Sequence, residues 1–119
     1  MGNLVSTLGV PLAKKVNNFQ TLGAVATHTQ TVPAAKRWLF YGGSIERDNA
    51  ATLQCTLTDA SDQILVESDT EAAAATRVQL SGLFKVLPHI LDAGEKIVLT
   101  WGVAQTTPEI SLLVLEIDV

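Results

Sequence analysis

Five carboxylates, Asp59, Asp62, Glu67, Asp69 and Glu71, fall close together in the sequence. Oxygen-rich loops of this kind suit a hard cation such as calcium. Their spacing is not that of an EF-hand loop, which needs D-x-[DN]-x-[DN]-G and a closing Glu. A two-carboxylate hydrolase would also need a set separation across a sugar cleft. A solvated acidic edge is therefore the expected reading. Cys55 with His28 or His89 has the residue types of a nucleophile and its base. Yet Cys55 alternates with Leu53 and Leu57 in ATLQCTLT, where a thiol packs as a small hydrophobe. His28 and His89 form no HxH or HxxxH pair, and metal sites need convergent ligands. Gly42-Gly43 is the one glycine pair, and neither GxxxxGK nor GxGxxG is present. The sequence thus points to no catalytic residue, no metal and no cofactor.

Three further segments have a chemical and a plain reading. Lys36-Arg37-Trp38 sets two cations beside an aromatic ring, as a cation–π or stacking site would. The plain reading makes Trp38 and Phe40 core anchors, with Lys36 and Arg37 in solvent. Trp38, Tyr41 and Trp101 would form a carbohydrate platform only if exposed together, and a carbohydrate-binding β-sandwich is the alternative function. MGNLVS matches the myristoylation pattern at Gly2 and Ser6, although an initiator segment of an assembly arm explains it as well.

The elements that must carry these residues are short strands. LGAVATHTQTV, RWLFYGGSIER, ATLQCTLT, QILVES, KIVLTWGVA and EISLLVLEIDV show period-two patterning, broken by turn signals at Pro33-Ala34-Ala35, Asp59 to Asp62 and Asp92 to Glu95. Gly42-Gly43 inside a strand predicts a bulge, a bend or a close backbone approach. The run Glu71 to Ala75 fits a strand or a short helical turn equally. Pro88 demotes LFKVLPHIL to an edge strand plus loop. Ile97, Leu99, Trp101 and Val103 are expected on one face. In the last strand Leu113, Leu115, Ile117 and Val119 share a face, with Ile110, Leu112 and Val114 on the other. Regular short strands without helices predict an all-β chain: a single β-sandwich or jelly roll of about eight strands over residues 21–119. Residues 1–20, broken at Gly9 and Pro11, are expected as an extended N-terminal arm.

Composition bounds the partners. The 119 residues carry a net charge of −4, which argues against a nucleic-acid binder. One cysteine excludes an internal disulfide framework. No apolar run reaches the roughly 20 residues of a membrane span, and no secretory signal pattern is seen. Charged residues are 17% where about 25% is usual, while 47% are hydrophobic, so part of the surface is expected to be buried against other subunits.

TVPAAKRWLFYGGSIERDNAATLQCTLTDASDQIL runs from a proline turn to a basic-Trp strand, an Arg-Asp-Asn turn and a Thr-rich hairpin. With LDAGEKIVLTWGVA and the apolar last strand, it resembles small jelly-roll virion structural proteins of bacterial and archaeal viruses. The resemblance covers about half of the chain and implies a capsid, capsid-decoration or spike subunit. It also implies a virion location after assembly in host cytoplasm, with other virion proteins as partners, and carries over no functional residue. The residues themselves point to a homo-oligomer. Its expected interface is Leu4, Val5, Leu8, Val10, Leu12 and Phe19 of the arm, with Ile110, Leu112 and Val114 as the outward face of the last strand.

Overall fold

The computed structural model describes residues 14–21 and 25–119. Ten strands follow in order: β1 (Lys14–Thr21), β2 (Val25–Thr31), β3 (Lys36–Glu46), β4 (Ala51–Thr58), β5 (Ile64–Glu67), β6 (Glu71–Ala74), β7 (Arg77–Gln79), β8 (His89–Asp92), β9 (Lys96–Gln105) and β10 (Glu109–Asp118). Among the described residues the helical content is a single 3-10 turn, Leu80–Gly82. The undecided Glu71–Ala74 segment is strand, and β8 lies at a sheet edge, where a strand following Pro88 belongs.

All pairings are antiparallel. The first sheet has the order β1-β10-β3, with β7 and β8 sharing the far edge of β3. The second has the order β2-β9-β4, with β5 and β6 sharing the far edge of β4. Counting each shared edge once gives eight positions, ordered 1-8-3-6 and 2-7-4-5. That is the strand order of a jelly-roll β-sandwich.

The two inner faces interdigitate. Phe40, Ile45, Ile110, Leu112 and Val114 of one sheet meet Leu53, Cys55, Leu57, Ile97, Leu99 and Trp101 of the other, all buried. Phe84 caps this core, its ring edge-on to Phe40 at 5.7 Å and 80°. That geometry adds about 0.5–1.5 kcal/mol to the area term.

Three sequence expectations need correction. Ile110, Leu112 and Val114 are interior, at 0%, 2% and 2% exposure, so they are not the outward face of the last strand. Both faces of β10 are apolar, so its own pattern could not orient it; β3 does. Ile110 stands opposite Ile45 and Val114 opposite Phe40, and directly opposed residues share a face. Next, the segment assigned to an arm supplies a strand: β1 pairs along its length with β10, from Lys14 opposite Glu116 to Thr21 opposite Glu109. Phe19 lies in it, opposite Ser111. Leu4, Val5, Leu8, Val10 and Leu12 lie outside the described residues. Finally, Val103 is 54% exposed while Gln105 is buried. The register of β9 with β2 jumps from Thr100–Thr27 to Gln105–Val25, and this irregularity turns Val103 outward.

Two loops lock one end of the sandwich. Buried Gln105 accepts the amides of Asp48 and Asn49 through Oε1. The Asp48 carboxylate accepts the Thr106 and Thr107 amides and the Thr107 hydroxyl. Desolvation pushes the Asp48 carboxyl up, but these hydrogen bonds outweigh it and hold the group below its ordinary value. Beside them Arg47, 1% exposed, gives Nη1 to the Ala51 and Ala72 carbonyls, Nε to the Thr76 carbonyl and Nη2 to the Thr76 hydroxyl. A buried guanidinium is tolerated here because carbonyl dipoles take up its donors.

Candidate functional site

The residues with chemical potential do not converge. Cys55 sits in the core at 0% exposure, and burial pushes its thiol well above the ordinary value, so it is not poised as a thiolate. His28 and Cys55 both stand opposite Leu99, on the two flanking strands. Two strand spacings separate their backbones by roughly 9–10 Å, beyond hydrogen-bond reach. His28 bonds instead to Gln30, Nε2 to Nε2 at 2.9 Å, and partial burial lowers its pKa. His89 lies against the Phe84 ring, centroids 5.7 Å apart.

The carboxylates are dispersed into structural tasks. Asp59 Oδ1 accepts the Ser61 and Gln63 amides, which shapes the β4–β5 turn with Asp62 in the left-handed region (φ 65°). Asp62 pairs with Lys96 at 2.7 Å, and Glu67 accepts from Gln54. Among the described residues no group of three His, Cys, Asp or Glu side chains could hold a metal ion. A shallow groove of about 260 Å³ lies between β5 and the β7–β8 connection, lined by Val66, Glu67, Asp69, Phe84, Lys85 and His89 among others.

The basic-Trp segment follows its plain reading. Lys36 pairs with Asp118, Arg37 with Asp92 at 2.7 Å, and the buried Trp38 gives its indole N–H to Glu116 at 3.0 Å. Trp101 is also buried, at 2%. A carbohydrate platform built on Trp38, Tyr41 and Trp101 is therefore absent: only Tyr41, at 36%, reaches the surface.

What the surface does present is a bounded apolar band on the outer face of the first sheet. Residues of β10, β3 and β8 stack in rows across that face. In one row Leu115, Leu39 and Ile90 stand side by side. In the next, Ile117 joins the ion pair Arg37–Asp92. On the other side Leu113 faces the Tyr41–Gly42 bulge. Beyond it come Ser111 and Ser44 with Gln79, then Glu109 and Glu46 with Arg77. Arg77 reaches Glu46 at 3.1 Å, Glu109 at 3.7 Å and the Ser44 hydroxyl at 3.0 Å. An apolar centre closed at both ends by charged rows has the anatomy of a protein–protein contact. Ile90 is its most exposed member, at 61%.

The sequence reading missed this band because it assigned the outward face of β10 to the wrong parity. Its own list of Leu113, Leu115 and Ile117 as a shared face was the signal. No protein-family model matches the chain, and a search of curated proteins finds no match.

Proposed function

We propose that this chain is a structural subunit of a virus particle, a capsid, decoration or spike protein, that acts by assembling with copies of itself and with other virion proteins. The observation that carries the reading is the bounded apolar band of Leu39, Ile90, Leu113, Leu115 and Ile117 on the outside of a jelly-roll sheet. Jelly rolls serve capsids, lectins and cupins alike, so the surface has to choose among them. A lectin-like role is disfavoured because both tryptophans are spent on the core. The low charged fraction of 17% agrees with a surface partly buried in an assembly.

Multi-angle light scattering of the full-length protein tests the reading directly. Self-association at micromolar to millimolar concentration is expected, with regular particles or rings visible by electron microscopy. A strict monomer over that range, saturably binding an oligosaccharide, would replace assembly with the carbohydrate-binding alternative.

A further inference from the structure

We infer that β2, at the edge of the second sheet, pairs antiparallel with β2 of a second copy about a two-fold axis at Thr29. The inference rests on the self-assembly reading and supplies it with a contact.

The sheet edges are not alike. An unpaired strand edge invites further pairing, and charges or short, broken strands normally blunt it. The far edge of the second sheet is split into two four-residue strands carrying Glu67 and Glu71. The far edge of the first sheet is split into strands of three and four residues carrying Arg77 and Asp92. β1 opens with Lys14 and Lys15. β2 is seven residues long, VATHTQT, with neither a charged side chain nor a proline. Among the described residues it pairs with β9 alone, and every other described strand already has its place in a sheet.

The ladder fixes which backbone groups of β2 face outward. The Cys55 amide donates to Ser68 Oγ and the Cys55 carbonyl accepts the Ser68 amide, so both point away from β9. Cys55 and Leu99 are therefore a non-hydrogen-bonded pair, and Leu99 turns its amide and carbonyl to His28. Val32, in step with His28, agrees: its amide and carbonyl bond Glu95 and Gly94 at the start of β9. Facing alternates along a strand, so Thr27, Thr29 and Thr31 present both N–H and C=O to the open edge.

These threonines are spaced symmetrically about Thr29. A second β2 laid antiparallel around that point sets Thr29 opposite the partner's Thr29 and Thr27 opposite the partner's Thr31. Each such pair exchanges two N–H···O bonds. On the inner face His28 meets the partner's Gln30, a contact of the kind it already makes with its own Gln30 at 2.9 Å. Threonine lies against threonine and no like charges are opposed, so the strand is its own complement, as a two-fold contact requires.

Cysteine trapping tests the register in the full-length protein, where the native Cys55 is buried and stays out of reach. Hydrogen-bonded pairs stand about 5.5 Å apart at Cα, within reach of a disulfide. Thr29→Cys should therefore form a disulfide homodimer on mild oxidation at micromolar concentration. Thr27→Cys alone should not, since the two copies of residue 27 lie about 13 Å apart along the strands. Mixed with a Thr31→Cys protein of different tag mass, it should give the mixed dimer. Thr29→Lys guards the edge and leaves the β9 ladder intact. It should lower the light-scattering mass at least twofold with an unchanged β-type circular dichroism spectrum. If the parent self-associates while Thr29→Cys cross-links no faster than Thr27→Cys, another surface carries the assembly and the inference is overturned. An unchanged mass for Thr29→Lys overturns it as well, with self-assembly left standing. A parent that never exceeds monomer mass removes both.

Discussion

Phe40 and Ile45 are five residues apart on one strand, yet both are fully buried in the same core. In a regular strand that odd separation would put them on opposite faces. Between them Gly42 and Gly43 take φ values of 97° and 130°, and the register with β10 slips from Phe40–Val114 to Gly43–Leu112. The bulge adds one residue to β3 and so reverses its parity. It also divides the outer face: Leu39 and the Arg37–Asp92 pair lie before it, Ser44 and Glu46 after it.

Gly43 is the position where this device admits no substitute. A Cβ there would stand 2.0 Å from the Ser111 carbonyl oxygen and 2.9 Å from the Leu112 Cα, on backbone that L side chains rarely adopt. Gly43→Ala should cost roughly 3 kcal/mol or more in urea unfolding, from strain and clash together. Gly82→Ala, with open space around the site, is the matched control and should change little.

Arg47 should behave as a structural staple. Arg47→Met removes the partner of the Ala51, Ala72 and Thr76 carbonyls. A loss of about 3 kcal/mol is expected, because hydrogen bonds to a charged group are worth more than neutral ones and the carbonyls stay buried. A guanidine denaturation midpoint equal to that of the parent would show the cluster to be energetically idle.

Cys55 predicts a pH dependence. Burial raises its pKa in the fold, while the unfolded thiol titrates near about 8.5. Below that value both states hold the proton and the thiol adds no slope. Above it the unfolded state loses the proton first, so stability falls by about 1.4 kcal/mol per pH unit until the folded thiol titrates. Unfolding free energies at pH 8, 9 and 10 should diverge between the parent and Cys55→Ala, with the steeper fall in the parent. Thiol reagents should label the native protein slowly and the denatured protein at once. Cys55→Ser should lose about 1–3 kcal/mol by burying a hydroxyl.

Trp38 and Trp101 offer a spectroscopic check. Both are buried, so native emission should be blue-shifted and acrylamide quenching weak. Addition of oligosaccharides should leave the spectrum unmoved. Strong quenching in the native state, or a sugar-induced shift, would contradict the interior placement.

The alternation of Leu53, Cys55 and Leu57 was legible because Thr and Gln occupy the other face of β4, so one parity alone could be buried. The β10 run offered no such contrast, and its orientation is settled only by its partner β3, more than 60 residues away in sequence at the Ile110–Ile45 pair. Val103 was misplaced for a related reason: a period-two reading assumes a regular strand, and β9 departs from regularity after Trp101. Arg47 and Gln105 were invisible as core residues because polar side chains become buried only when partners from distant loops meet them. Asp48 and its partners Thr106 and Thr107 lie nearly 60 residues apart, and nothing in either stretch names the other. The apolar band required the sheet register itself, since no single strand contains it.

The strand order also puts pairings of large sequence separation at the centre of the first sheet. β9 and β10, late in the described order, are not at the margins: β10 lies between β1 and β3, and β9 between β2 and β4. Until they arrive, β1 and β2 have no neighbours to pair with, and the Lys14–Glu116 contact closes a loop of about a hundred residues. Closing such a loop is paid in chain entropy before any contact is gained, which makes folding slow. Each sheet is therefore completed only when β9 or β10 fills its centre. Loss of β10 alone would strip β1 of its partner and open the first sheet through its middle.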